Sequence, residues 1–197
     1  MARISPAAAT ALVNGGGLAG MSAALSLAEA GVAVQLIDSD PDWKVYGAGI
    51  TITGPTLRVM RRLGVLERVL AEGWTADGIL VCDAGGAVIT EISTSAQNLQ
   101  GLPGAGGILR TALHRMLADR IRAAGISVAL GLTVTDIAPG RPKRVTFSDG
   151  TVASFDLVVG ADGIFSETRE RVFPGLGQPR YVGQICWRLM SPRHPGI

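Results

Sequence analysis

Cysteine, histidine and lysine are scarce in this 197-residue chain: it has two cysteines, two histidines, and sixteen arginines among its eighteen basic residues. Cys82 and Cys186 stand far apart without metal-ligand or redox spacing, which excludes a disulfide framework and fits a reducing cytoplasm. Charge is also sparse. Charged residues make up 17% and the net charge is +2, so neither a surface for nucleic acid nor an acidic tail is indicated. No apolar run is long enough to span a membrane. The apolar run near the N-terminus is broken by Asn14 and a glycine turn, which a secretory signal would not need. His114 and His194 are isolated, Trp43, Trp74 and Trp187 are too scattered for a stacking platform, and Arg58, Arg61 and Arg62 read as a solvated helix edge.

Apolar residues are abundant, at 47%, ample for a globular core. Residues 10–14 read as a short buried strand, 18–30 as a helix with Met21, Ala24, Leu25 and Ala28 on one face, and 32–37 as a second apolar strand. That is the size of a nucleotide-binding crossover. Further on, 47–53 reads as extended, and 56–63 and 65–71 as helices. Strands at 78–84 and 87–92 are expected around a Gly85-Gly86 turn, and 93–107 as loop. Residues 110–124 form an amphipathic helix ended by Gly125. Strands are expected at 126–130, 133–138, 143–148, 151–159 and 181–189, with a helix capped by Ser166 running to about Phe173.

Gly15-x-Gly17-x-x-Gly20 follows the first strand and opens the first helix, the context a dinucleotide fingerprint demands. Gly15 permits the tight turn, Gly17 close approach of the backbone to a pyrophosphate, and Gly20 close packing of helix on strand. The helix N-terminus then offers N–H groups and partial positive charge. Asp38 ends the second strand, where a carboxylate can accept from a ribose diol. The motif alone does not separate FAD from NAD, and a glycine turn without a nucleotide is the plainer alternative. A second motif, Gly160-Ala-Asp-Gly-x-x-Ser-x-x-Arg169, follows a late apolar strand and puts Asp162 at a carboxyl end, where open α/β sheets bind ligands.

These two motifs, with Gly47-Ala-Gly-Ile50 and Arg110-x-x-Leu113 between them in that order, resemble the amino-terminal half of the class A flavoprotein monooxygenases, the para-hydroxybenzoate hydroxylase-like family. The likeness runs from about residue 9 to 190. It implies an α/β fold: a Rossmann-like, doubly wound, mainly parallel FAD-binding domain with the start of a mixed β-sheet substrate domain. The expected boundaries are 1–75 and 108–177 for the FAD-binding domain, 76–107 for a hairpin of the substrate domain, and 178–197 for its truncated continuation.

Carried over by position, the resemblance implies that Gly15, Gly17, Leu18, Ala19 and Gly20 hold the FAD pyrophosphate and Asp38 the adenosine ribose. It also implies Arg110 at the phosphate or ribityl region, Val134 beside the adenine, and Asp162 in the motif serving FAD and the transient NADPH or NADH donor. Lys44 lies where relatives place a basic residue near the flavin. The implied reaction is hydroxylation of a small aromatic molecule with O2 through a flavin hydroperoxide. The cofactor carries that chemistry, so no catalytic side chain is named. Two departures stand out. Asn14 replaces an apolar or small residue and is expected to turn outward, and the family's later Gly-Asp-Ala-x-His segment is absent, as in a fragment. A non-catalytic nucleotide-binding remnant, or a reductase or halogenase on the same fold, is therefore kept as an alternative. A plain NAD-dependent dehydrogenase has no use for the second motif.

Overall fold

The computed structural model describes residues 8–94 and 101–192. Along the chain run β1 (Thr10–Asn14), α1 (Leu18–Glu29), β2 (Ala33–Asp38), β3 (Gly49–Thr53), α2 (Gly54–Arg62), α3 (Leu66–Glu72), β4 (Trp74–Ala76), β5 (Gly78–Cys82) and β6 (Val88–Ser93). There follow β7 (Ala105–Leu109), α4 (Arg110–Ala123), β8 (Ser127–Leu130), β9 (Val134–Ile137), β10 (Lys143–Phe147), β11 (Val152–Phe155), β12 (Leu157–Gly160) and α5 (Glu167–Val172). They fall into two compact units, one of residues 1–45 and 114–180, the other of 46–113 and 181–197.

The first unit is built on a parallel sheet of order β12-β1-β2-β8. Its strands are apolar almost throughout, as in parallel sheets covered on both faces, and the central β1 is the most deeply buried. Leu12 and Ile37 point to one face, where the antiparallel meander β9–β10–β11 closes a core with Val134, Val145, Phe147 and Phe155. Ala11, Val13 and Leu36 alternate to the other face. There α1 packs along β1 and β2 through Met21, Ala24 and Leu25. This is the mainly parallel, Rossmann-like arrangement expected.

Residues 151–159 form two strands in different sheets. The break falls at Asp156, whose Oδ2 accepts from the N–H groups of Ala9 and Thr10, each at 2.9 Å. An ion committed to the start of β1 cannot continue an apolar ladder.

The second unit holds an antiparallel sheet of order β3-β7-β4, the helices α2 and α3, and the β5–β6 hairpin. Three expectations are corrected here. Residues 105–109 are a central strand, although 105–107 were expected to belong to a loop. The glycines are there because a Cβ on Gly106 would lie 2.4 Å from the Trp74 carbonyl oxygen of the neighbouring strand. The hairpin does not turn on two residues: Asp83 Oδ1 gathers the N–H groups of Gly85 and Ala87, lengthening the connection. Residues 181–189 form no strand, since their alternating pattern finds no pairing partner among the described residues. Residues 95–100 of the expected loop lie outside the described residues.

Candidate functional site

The carboxyl ends of β12, β1 and β2 lie side by side, so the loops leaving them converge. β1 leaves through the glycine turn. Gly15 adopts φ +112, a conformation natural to glycine, and donates its N–H to Ile37 O at 2.8 Å. A Cβ on Gly15 would lie 2.3 Å from Ala161 O, and one on Gly20 would lie 1.8 Å from Gly15 O. Those glycines seal the turn against the strand ends and the helix against the turn.

Gly17 is the opposite case. Its φ of −70 suits any residue, and a Cβ there would meet nothing within 4 Å. The backbone is bare on that side for a ligand's approach rather than for packing. Helix α1 has no side-chain cap and no acidic residue in its first turn, and its first internal bond runs from Met21 N–H to Gly17 O. The N–H groups of Leu18, Ala19 and Gly20 precede that bond and add the positive end of the helix dipole. An open cradle of this kind fits a pyrophosphate.

Asp38 ends β2 beside the turn. Its Oδ2 accepts the Gly16 N–H at 2.6 Å and its Oδ1 the Asp40 N–H at 2.8 Å, leaving carboxylate lone pairs over. On the other side of Gly16, the Trp43 indole N–H donates to Gly16 O at 2.8 Å. Trp43 is buried and has φ +51; the His114 ring meets it edge-on at 5.8 Å and the Arg122 guanidinium stands 5.1 Å from its centroid. Sequence reasoning passed over Trp43. The usable signal was its place just after the Asp38–Asp42 turn.

The Asp-Gly loop leaves β12. Asp162 Oδ1 accepts from Ser166 Oγ at 2.6 Å and its Oδ2 from Thr168 N–H at 2.9 Å. Partial burial works to raise the Asp162 pKa, but these hydrogen bonds outweigh it and the carboxyl sits below its ordinary value. Ser166 Oγ also accepts from Arg169 N–H, capping α5 as expected. Both Asp162 oxygens thus hold their own loop in shape.

Asn14 is corrected: it turns inward. It is buried, and its side-chain amide donates to Thr168 Oγ1 at 2.9 Å. A hydroxyl brought from α5 satisfies the amide, which makes the inward rotamer affordable in a dry place.

Gly15, Gly17, Leu18, Ala19, Gly20, Asp38 and Asp162 are therefore gathered at adjoining strand ends. Val134 lies within the core against Leu12 and Ile37, with no side-chain exposure. Arg110 belongs to the second unit, exposed at the first position of α4. Its N–H donates to Ala48 O at 3.0 Å, and a Cβ on Gly47 would come within 3.3 Å of its Cδ. Lys44 pairs with Asp42 at the surface. Among the described residues no cluster of His, Cys, Asp and Glu could hold a metal, and no helix is long and apolar enough to cross a membrane.

A family model described as an FAD binding domain matches residues 8–182. The chain is 33% identical over 186 residues to 2-heptyl-3-hydroxy-4(1H)-quinolone synthase of Pseudomonas aeruginosa, covering 93% of this chain and 47% of that protein. It is 33% identical over 183 residues to 3-amino-4-hydroxybenzoate 2-monooxygenase of Streptomyces cremeus, covering 91% and 45%. A solved variant of 2-methyl-3-hydroxypyridine-5-carboxylic acid oxygenase superposes with a TM-score of 0.72 at 31% identity, covering 83% of this chain and 42% of that one. The chain thus spans about half the length of the curated relatives it matches, 47% and 45% for these two. With the glycine turn, the Asp-Gly loop and the parallel sheet between them, it belongs to the FAD-binding domain family of the FAD-dependent monooxygenases.

Proposed function

We propose that this chain is the FAD-holding half of an NADPH- or NADH-dependent monooxygenase that hydroxylates a small aromatic molecule. The observation that carries the reading is the open backbone at Gly17 beside an uncapped α1, in a turn whose other glycines are sealed by packing. Free main-chain N–H groups at the positive end of a helix suit an anion. In support of the substrate class, two of the proteins named above are by name oxygenases of 3-amino-4-hydroxybenzoate and of 2-methyl-3-hydroxypyridine-5-carboxylic acid, both substituted aromatic rings. The two cysteines are free and exposed, in keeping with the cytoplasm as the compartment.

In this reading Gly17, Leu18, Ala19 and Gly20 give main-chain N–H groups to the pyrophosphate, over the tight turn that Gly15 makes. The carboxylate of Asp38 accepts from the ribose with the lone pairs it has left after Gly16 and Asp40. Val134, whose side chain is spent in the core, borders the adenine through its backbone alone. Arg110 gives a permanent positive charge to the phosphate or ribityl region. Asp162 keeps the Gly160–Thr168 loop rigid, so that the loop presents a fixed main-chain surface to cofactor and nicotinamide donor. Bound there, FAD would supply the redox chemistry, linking two-electron oxidation of the nicotinamide donor to the use of O2, with one oxygen atom going to the ring and the other to water.

The test is an absorbance spectrum of the purified chain after FAD is added and the excess removed. A retained, structured visible flavin band is expected. A colourless protein that binds FAD no better than AMP overturns the reading.

A further inference from the structure

We propose that Trp43 is a positioning residue that sets the direction of the Gly17 N–H, and so fixes the polarity of the phosphate cradle. The inference rests on the reading of the glycine turn as a pyrophosphate site and adds a residue to it.

Three successive glycines, Gly15, Gly16 and Gly17, impose little conformation of their own. The peptide joining Gly16 to Gly17 can rotate with little steric resistance, because neither flanking residue carries a Cβ. Its two orientations are not equivalent for an anion. In a planar trans peptide the C=O and the next N–H point in opposite directions. One orientation therefore offers an N–H to the open side of the turn, and the other a carbonyl lone pair that repels phosphate.

The structure selects the first. The Trp43 indole N–H takes the Gly16 carbonyl at 2.8 Å on the inner side, so the Gly17 N–H is turned away from Trp43. Asp38 holds the Gly16 N–H at 2.6 Å, fixing the preceding peptide as well. A Cβ on Gly16 would lie 2.4 Å from the indole nitrogen, so the close approach of Trp43 itself requires glycine there.

Trp43 is built for this duty at some cost. It is the non-glycine residue with positive φ among the described residues, at +51, which is rare for a bulky side chain and persists where surroundings enforce it. The surroundings are the His114 ring, T-shaped against the indole with centroids 5.8 Å apart, and the Arg122 guanidinium, 5.1 Å from the centroid over the indole face. A cation over the face also draws electron density from the ring and strengthens the indole N–H as a donor.

The test compares the wild-type chain with Trp43→Phe, which keeps a ring against His114 and Arg122 but has no N–H. NMR titrations measure the Kd for ADP and for adenosine, the same ligand without its pyrophosphate. The Trp43→Phe chain is expected to bind ADP about tenfold more weakly, the loss of one well-aimed donor to a charged group, while adenosine binding stays within about twofold. Equal weakening of both ligands, or of neither, overturns the proposal, since packing alone would not distinguish them. Failure of the wild-type chain to bind ADP overturns instead the pyrophosphate reading beneath it. Should Trp43→Phe not fold, benzothienylalanine at position 43, which has the shape of tryptophan without its N–H, gives the same comparison. The Gly17 amide resonance of the ligand-free protein supplies a second readout. It should be single in the wild type and doubled or broadened in either variant; an unchanged Gly17 signal also counts against the proposal.

Discussion

Two glycines three residues apart should fail in opposite ways when replaced by alanine. In Gly20→Ala the new methyl lands 1.8 Å from the Gly15 carbonyl oxygen and 3.3 Å from the Ala161 Cβ. The obstacle is backbone inside a turn that is itself pinned by Ala161 O, so no side chain can rotate aside. Helix α1 must lift by about 1 Å or more, which loosens Met21, Ala24 and Leu25 against the sheet. We expect a loss of about 3 kcal/mol, at the upper end for overpacking because rigid main chain is involved. For a chain of this length that lowers the thermal midpoint by roughly 6–12 °C. In Gly17→Ala the methyl meets nothing, and φ −70 is ordinary. The lost preference for glycine at the helix cap and the reduced freedom of the unfolded chain oppose one another, leaving stability within about 0.5 kcal/mol. The methyl nevertheless stands on the open side of the cradle, and FAD affinity should fall about tenfold or more. Circular dichroism melts and FAD titration of both variants check the pair. A Gly20→Ala protein that melts with the wild type, or a Gly17→Ala protein that binds FAD undiminished, refutes the division into a packing glycine and a ligand glycine.

Thr168→Val strands the buried Asn14 amide and should cost about 1–3 kcal/mol, whereas Asn14→Leu combined with Thr168→Val should cost less than the sum of the single changes; a thermal-melt double-mutant cycle reads the coupling. Asp162 has a depressed pKa, so its stabilisation is complete above the unfolded value near 3.8 and is lost as pH falls through the lower folded value. The melting midpoint should therefore fall on acidification from about pH 5 to pH 3, and Asp162→Asn should flatten that limb, as melts across the range would reveal. Arg110→Ala removes an exposed side chain, so the melt should hold while FAD binds several-fold more weakly; an unchanged Kd would remove Arg110 from the proposed site.

What the sequence makes legible is whatever local pattern alone decides. β1 and β2 are short, mostly apolar runs and α1 carries its alanine face, so the crossover and its glycine turn are visible in the first forty residues. Ser166 as the cap of α5 is visible for the same reason, since a cap needs only residues next to it. What escaped depends on partners far along the chain. The glycines of β7 resemble a loop until Trp74 is known to lie against Gly106. Asp156 sits in an apolar run and reads as noise until the N–H groups of Ala9 and Thr10 are found on it. Residues 181–189 alternate like a strand, but a strand exists only where another edge accepts its hydrogen bonds.

The candidate site shows the same division. Gly15, Gly17, Gly20 and Asp38 form one short fingerprint, but the partners that shape the loops around them come from elsewhere: Trp43 from the turn after β2, and Thr168, 154 positions from Asn14, from α5. Asn14 illustrates the physical reason. A polar residue before a glycine turn suggests solvent if only its neighbours are weighed, because a buried amide without a partner is costly. Once α5 delivers the Thr168 hydroxyl, the buried rotamer wins and ties β1 to the Asp-Gly loop, whose carboxylate in turn grips the Thr168 N–H. One threonine thus bonds to both motifs, through its hydroxyl to the strand before the glycine turn and through its main chain to Asp162. The two motifs are coupled through a residue that neither fingerprint requires, because the Asp-Gly pattern leaves the position before Arg169 free.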